Sequence, residues 1–500
     1  MRLQRPVCVT GLTRAVSLCG TACLFAAFLA TAGLITPCFA QPDYLLNATP
    51  VGPAKADPAI ARALKSIEPG RIEADIQALV GFGTRSTLSS MERDLPPGQG
   101  VTAAADWIAG QFEEISKGCG GCLEVRRDTF VQPVSERVTQ PTTLTNVFAI
   151  LKGTDPAQAK RMVLVTGHYD SRRTDVMDAR GAAPGANDDA SGVAVSLECA
   201  RALSKLHLAS TVVFVAVAGE EQGLDGSAHL AKLAHSEGWQ LEAVLNNDIV
   251  GGNTTPGDTL QLKDRVRVFS EGIPVTATPE QVRRIRALGE EDDSPSRELA
   301  RAIADTARSY FPAAGGQEFA PFLVFRPDRY LRGGDHSSFN KEGFAAVRMT
   351  EWREDYNHQH QNVVMPAAGP GEPIKGDPIM GDLIQFVDFK YVANVARVNA
   401  AALATLAASP GEPVKVAIAA KNLENVTTLT WEPPVGAPPN IHYELLWRET
   451  TAAEWQYVRV VPAAADGGAV TVTVPVSKDN VFFGVRAVDA GGHRGMVVAP

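Results

Sequence analysis

The stretch Met162-Val163-Leu164-Val165-Thr166-Gly167-His168-Tyr169-Asp170 is an apolar run that ends on a glycine, a histidine and an acid. Met162 to Thr166 reads as a strand buried on both faces. Outward from it, Asn146 to Lys152, Thr211 to Ala218, Leu241 to Ile249 and Ala345 to Thr350 read as further strands. Ser191 to Leu206, Ala228 to Ala234, Ser294 to Tyr310 and Tyr391 to Leu406 read as helices. Residues 71–130 suggest helices, with Ala103 to Ser116 the clearest. Strand and helix alternate, and the strands are apolar throughout. That pattern predicts an α/β fold, a mixed, mostly parallel sheet sandwiched by helices.

The chain has 500 residues and a formal net charge of −9. Hydrophobic residues at 45% and charged residues at 21% fit a packed core and argue against extended disorder. An acidic balance argues against a nucleic-acid partner, which calls for a basic excess. Residues 1–40 hold Arg2, Arg5 and Arg14, no acid, and an apolar run from Ala15 to about Ile35. Cys38-Phe39-Ala40 then offers small residues three before and one before a cut. This reads as a secretory signal cleaved after Ala40, giving a secreted or periplasmic product. Losing its three arginines takes the charge from −9 to −12. No later apolar stretch is long enough to span a bilayer. The cysteines left after cleavage are Cys119, Cys122 and Cys199. In an oxidising compartment Cys119-Gly120-Gly121-Cys122 reads as a small structural disulfide, and Cys199 as a buried thiol on a helix face.

Residues 41–70 look like a loose lead-in and a short helix, and 41–408 the catalytic domain. Composition shifts at Ala408-Ser409-Pro410-Gly411-Glu412-Pro413. Beyond it, five or more short alternating strands (among them Val414 to Ala419, Thr427 to Trp431, His442 to Trp447, Val470 to Val474, Val481 to Val488) predict a C-terminal β-sandwich. Trp431-Glu432-Pro433-Pro434, Tyr443 with Trp447, and Val485-Arg486-Ala487-Val488-Asp489 give residues 411–500 a resemblance to a fibronectin type III domain. Such a module could bind a surface or a partner, or pack on the catalytic domain.

The chemistry sits at the strand ends. Gly167-His168-Tyr169-Asp170 follows the first strand. Asn187-Asp188-Asp189 opens a helix, Gly219-Glu220-Glu221 follows the Thr211 strand, and Asn246-Asn247-Asp248 ends the Leu241 strand. Ligands of open parallel sheets bind beyond the carboxyl ends of the strands, so these motifs should meet in space. Clustered carboxylates repel one another, and a divalent cation removes the conflict. Imidazole nitrogen with carboxylate oxygen suits zinc. Asp355-Tyr356-Asn357-His358-Gln359-His360 offers a second histidine. Each motif alone has an ordinary reading as a helix cap or surface loop. Their order and strand-end positions together do not.

On these motifs, the chain over roughly residues 140–405 resembles the secreted co-catalytic (two-zinc) aminopeptidases, the group of aminopeptidase Y and the bacterial leucyl aminopeptidases. The resemblance implies that His168 binds one zinc, that Asp188 bridges two, and that Glu221 and Asp248 are further ligands. It implies Glu220 as general base toward a metal-bound water, and a cis peptide at Asp188–Asp189. The last ligand is read as His360, since Gln359 precedes it, although the spacing from Asn362 fits His358. Asp170, two residues past His168, would orient that imidazole. Peptide or protein N-termini are the implied substrate. Two alternatives stand beside this reading: a single-zinc glutaminyl cyclase-like acyltransferase, and a non-catalytic receptor ectodomain. Arg332 and Arg348 are candidates for a substrate carboxylate or for structural ion pairs. Asn253 to Asp293 has no readable pattern and is a candidate lid.

Overall fold

The computed structural model describes residues 42–45, 48–313, 316–365, 379–421 and 423–500. The signal segment read at 1–40 lies outside them.

Eight strands form the central sheet: β1 (Leu123–Gln132), β2 (Thr142–Leu151), β3 (Arg161–His168), β4 (Thr211–Val217), β5 (Gln240–Asn247), β6 (Arg265–Ser270), β7 (Ala320–Val324) and β8 (Ala346–Thr350). Their spatial order is β7-β6-β8-β5-β3-β4-β2-β1. The centre, β8-β5-β3-β4, is parallel. β2 joins β4, and β6 joins β8, in antiparallel sense. The sheet is thus mixed with a parallel heart, and β3 lies in the middle of it.

Alternation along these strands feeds two cores. Val163 and Val165 of β3, with Val212, Phe214 and Ala216 of β4, face helices α1 (Pro69–Val80), α2 (Val101–Gly118), α3 (Ala190–Leu203) and the apolar α7 (Phe389–Ala408). Leu164, Val213, Val215 and Val217 face the other way, onto Leu230 and Ala231 of α4 (Asp225–Ser236) and Phe339 of α6 (His336–Lys341). Helix α5 (Pro295–Tyr310) also packs on the first core through Leu299, Ala300 and Ile303. Both faces of the parallel strands are therefore dry, and that dryness is why these strands read as unbroken apolar runs.

Two expectations are corrected. β1 lies inside the span read as helical. It is an edge strand whose Glu124, Arg126, Arg127 and Asp128 are mostly turned outward, so its charge density mimicked a helix surface. The stretch from Asn253 to Asp293 is not a lid. Its Arg265–Ser270 segment is a sheet strand, and its helix Pro279–Leu288 lines a cavity with Val416, Ile418 and Phe482 of the C-terminal region.

That region contains two antiparallel sheets. One orders Val414–Ile418, Thr427–Glu432 and Val470–Val474. The other orders Thr49–Pro50, Tyr457–Pro462, His442–Glu449 and Val481–Val488. Leu429, Trp431, Tyr443, Trp447, Phe483 and Val485 fill the space between them. Tyr457–Pro462 escaped the reading because Arg459 and Val460 break the alternation by both facing water. Thr49–Pro50 comes from the N-terminal lead-in, so the second sheet is completed by residues far away in sequence.

The sandwich meets α5 through buried charge. Arg486 bridges Glu444 (2.6 Å) and Asp305 (2.8 Å). Trp455 Nε1 donates to Glu298 Oε2 at 2.8 Å, while Arg301 pairs with Glu298 and Arg448 with Asp293. Cys119 and Cys122 are disulfide-bonded, and Cys199 is a free, buried thiol. No described helix is long and apolar enough to cross a membrane.

Candidate metal centre

The site forms where β3, β4 and β5 end. β3 delivers His168 as its last residue, fully buried. A loop then returns to α3, whose N-cap Asp189 accepts from the Gly192 N–H at 3.0 Å. The strand end and the helix start touch closely: a Cβ on Gly167 would lie 2.5 Å from the Gly192 carbonyl carbon. The peptide joining Asp188 to Asp189 is cis. After β4, Gly219 turns the chain at φ 65°, a left-handed conformation that favours glycine. The short helix Glu220–Gly223 begins there.

Two clusters of potential ligand atoms result. His168, Asp188 and Asp248 each bring one donor atom within 4.8 Å of the others. Asp188, Glu221 and His360 do the same. Asp188 belongs to both: Oδ1 lies 3.1 Å from His168 Nε2, and Oδ2 lies 2.9 Å from His360 Nε2. Of the two late histidines, His360 is the one brought to Asp188 and Glu221. His358 instead stacks on Phe386, with ring centroids 3.7 Å apart.

Glu220 lines the same cleft, half-buried, beside Glu221. Asp170 is fully buried and does more than face His168. Its Oδ1 lies 3.4 Å from His168 Nδ1 and accepts the Glu220 N–H at 3.1 Å. Its Oδ2 accepts the Glu221 N–H at 3.1 Å and the Thr87 hydroxyl at 2.9 Å.

The electrostatics are those of a crowded anionic pocket. Burial pushes the Glu220 carboxyl well above its ordinary value, with Glu221, Asp248 and Asp335 adding to the rise and His168 opposing it. Burial also raises Glu221. For Asp188 burial is overcome by His168 and His360, which hold it well below the usual range. Burial opposes charge on His360, but Glu221 and Asp188 push its pKa up to about 10. Glu221 Oε1 is buried without a hydrogen bond, although it lies 3.2 Å from His360 Nε2. Imidazoles drawn onto carboxylates at this spacing, with an orphaned buried oxygen among them, fit divalent metal ions. The N/O donor set suits zinc, whose ligand distances are about 2.0–2.2 Å.

The family model for "Peptidase family M28" matches residues 146–367. A probable zinc metalloprotease of Pyricularia oryzae is 43% identical over 455 residues, covering 89% of this chain and 84% of that protein. The chain belongs to peptidase family M28. A probable zinc metalloprotease of Leptosphaeria maculans is 40% identical, covering 88% of this chain and 96% of the relative. Among solved structures, the Legionella pneumophila LapA aminopeptidase is 18% identical with a TM-score of 0.48, covering 73% of this chain and 78% of the other. A Fimbriiglobus ruber glutaminyl cyclase is 19% identical with a TM-score of 0.43, covering 68% and 95%.

Sequence reasoning missed several residues that hold the site of this M28 chain. Asp382 accepts the backbone N–H groups of Asn187 (2.9 Å) and Asp188 (2.7 Å) and so pins the shared carboxylate. Arg85, fully buried, donates to the carbonyls of Tyr169 (2.7 Å), Pro184 (2.6 Å) and Gly185 (2.8 Å). Gln359 Nε2 donates to Asp188 Oδ2 at 3.2 Å. Asp382 and Arg85 sit in no periodic or motif context, so no sequence signal marks them; Gln359 stands in the late histidine motif, but nothing there shows its contact with Asp188. The two candidate arginines are ion-paired: Arg348 with Asp248 at 2.8 Å, and Arg332 with Glu354 at 3.0 Å. His336 Nε2 donates to the Pro327 carbonyl, 2.8 Å away, and His336 belongs to neither cluster.

Proposed function

We propose that this M28 peptidase is a two-zinc aminopeptidase, and that Asp188, shared by two three-residue clusters, is the observation that carries the reading. His168 and Asp248 would hold one ion and Glu221 and His360 the other, with Asp188 available to both. Zinc in these positions supplies Lewis acidity, lowering the pKa of water and polarising the scissile carbonyl.

The chain's own groups do the rest. Glu220 takes a proton from the attacking water and passes it to the leaving amine. Asp170 fixes both ends of the machinery, orienting His168 and gripping the backbone at Glu220 and Glu221. Asp382 keeps the Asp188 backbone in register. The cleft over the clusters, of about 380 Å³, has room for part of a peptide chain.

A paired site also argues against single-zinc glutaminyl cyclisation, and a complete donor set argues against a receptor ectodomain. The first forty residues are proposed as a secretion signal, and the Cys119–Cys122 disulfide suits an oxidising compartment. The C-terminal sandwich, residues 411–500, is proposed as a fibronectin type III-like module fastened to the catalytic domain. The test of direction compares a peptide with a free N-terminus against its N-acetylated form. Selective cleavage of the free form is expected. Equal cleavage of both would rule out an aminopeptidase.

A further inference from the structure

Four arginines line the metal cleft, and they differ in how their charge is met. Arg329 and Arg332 share Glu354, at 2.8 and 3.0 Å, and Arg329 also pairs with Asp328 at 3.1 Å. Arg137 and Arg172 have no such partner: among the described residues, neither forms an ion pair with a carboxylate. Both are instead held by neutral backbone oxygens. Arg137 Nη1 donates to the Glu221 carbonyl at 3.0 Å, leaving the Glu221 carboxylate to His360. Arg172, half-buried, donates from Nε to the Arg173 carbonyl at 3.1 Å and from Nη2 to the Thr174 carbonyl at 3.0 Å.

Carbonyl tethers fix where a guanidinium sits without neutralising it. Each fork therefore keeps unused N–H donors and a full positive charge at the cleft. Arg137 is anchored on the backbone of a proposed ligand, so its charge lies next to the reacting centre. Planar, bidentate donors of this kind match carboxylates. Once metal ions offset the ligand carboxylates, these two arginines become the uncompensated charges of the cleft.

We propose that Arg137 and Arg172 form a carboxylate subsite, and that preferred substrates carry an acidic group within a residue or two of the scissile bond. The proposal rests on the peptidase reading above. The carboxylate comes either from an acidic side chain or from the free C-terminus of a very short peptide.

Two comparisons separate these sources in the full-length, zinc-loaded protein. Calorimetric binding of L-glutamate against L-glutamine isolates the side-chain carboxylate. Glycylglycine against glycylglycinamide isolates the terminal one. At least one pair should favour the acid by about 10-fold or more, the scale of a charge-assisted hydrogen bond, and the preference should weaken as salt rises. Arg172→Gln should abolish most of that preference and Arg172→Lys should retain part of it. Arg172 touches no proposed ligand, so its variants keep the test meaningful if Arg137→Gln disturbs Glu221. In hydrolysis, the kcat/KM ratio of acidic over neutral substrates should fall in the same variants, mainly through KM. Discrimination below about twofold in both pairs, or a preference unchanged in both glutamine variants, overturns the subsite. Cleavage of free N-termini without acid preference sinks the subsite alone. Acid-selective binding with no cleavage of any peptide sinks the catalytic reading alone.

Discussion

Replacing Asp170 by asparagine should loosen the whole metal centre, although Asp170 belongs to neither ligand cluster. Its two oxygens are fully buried and serve three donors, the Glu220 and Glu221 N–H groups and the Thr87 hydroxyl, and Oδ1 also lies 3.4 Å from the His168 ring, whose Nδ1 is held at 3.1 Å by the Asp170 backbone carbonyl. An asparagine amide keeps one acceptor and turns the other into a donor. In one orientation its NH2 faces the Glu221 N–H, in the other the Glu220 N–H. Either way a buried backbone donor loses its partner, at about 1–3 kcal/mol, and the remaining bonds lose their charge assistance. Stability should drop by roughly 2–4 kcal/mol, which for a chain of this size lowers Tm by several degrees. Because the same carboxylate orients His168 and holds the Glu220–Glu221 turn, zinc affinity or kcat should fall by about 10–100-fold. Chelator competition, thermal melting and kcat measured on one preparation test this. A variant that binds zinc within about twofold of the parent and melts at the same temperature would refute the role assigned to Asp170.

Other perturbations separate chemistry from architecture. Glu220→Gln should retain zinc and the melting temperature but lose at least ~10² in kcat, seen in steady-state assays with metal content measured in parallel. Stripping zinc with a chelator should lower Tm, because crowded carboxylates lose their counter-charge; restoring zinc at about 100 times its Kd should return roughly 2.7 kcal/mol per site. Trp455→Ala at the sandwich joint removes a buried ring and leaves Glu298 Oε2 without its donor, so a loss of about 3–5 kcal/mol is expected by denaturant unfolding. Glu412, at the same joint, has its carboxyl pushed up to about 7 by burial, with Glu242 adding and Arg161 opposing. The folded state then binds the extra proton, so this group stabilises most below its ordinary value of 4.5 and loses that contribution as pH rises through about 7. Glu412→Gln should flatten that stretch of the stability–pH curve, and an unchanged slope would count against it.

How much of this was legible follows from sequence separation. β3, β4 and β5 are buried on both faces, so their apolar runs and the polar motifs at their ends stand out in one dimension. His168, Asp188, Glu221 and Asp248 could be placed together because a parallel sheet brings successive strand ends side by side. The supports could not. Thr87 reaches Asp170 across 83 residues, and Asp382 reaches Asp188 across 194. An isolated threonine or aspartate in a loop has no signature of such a contact. The strands at the sheet margins failed for another reason. β1 and β7 are half exposed, so their alternation carries charge and aromatic residues rather than a clean apolar stripe. The sequence favours His360 over His358 only through the preceding Gln359, because two positions in one loop differ little in pattern. In space His358 packs on Phe386 while His360 reaches Asp188.

The most direct test of the account is a crystal structure of the zinc-loaded protein with anomalous data at the zinc edge. Two peaks per chain are predicted, both within about 2.2 Å of Asp188 oxygens. One should be completed by His168 and Asp248, the other by Glu221 and His360. A single peak in a fully loaded crystal, or a second ion held by His358 instead of His360, would contradict the two-zinc site.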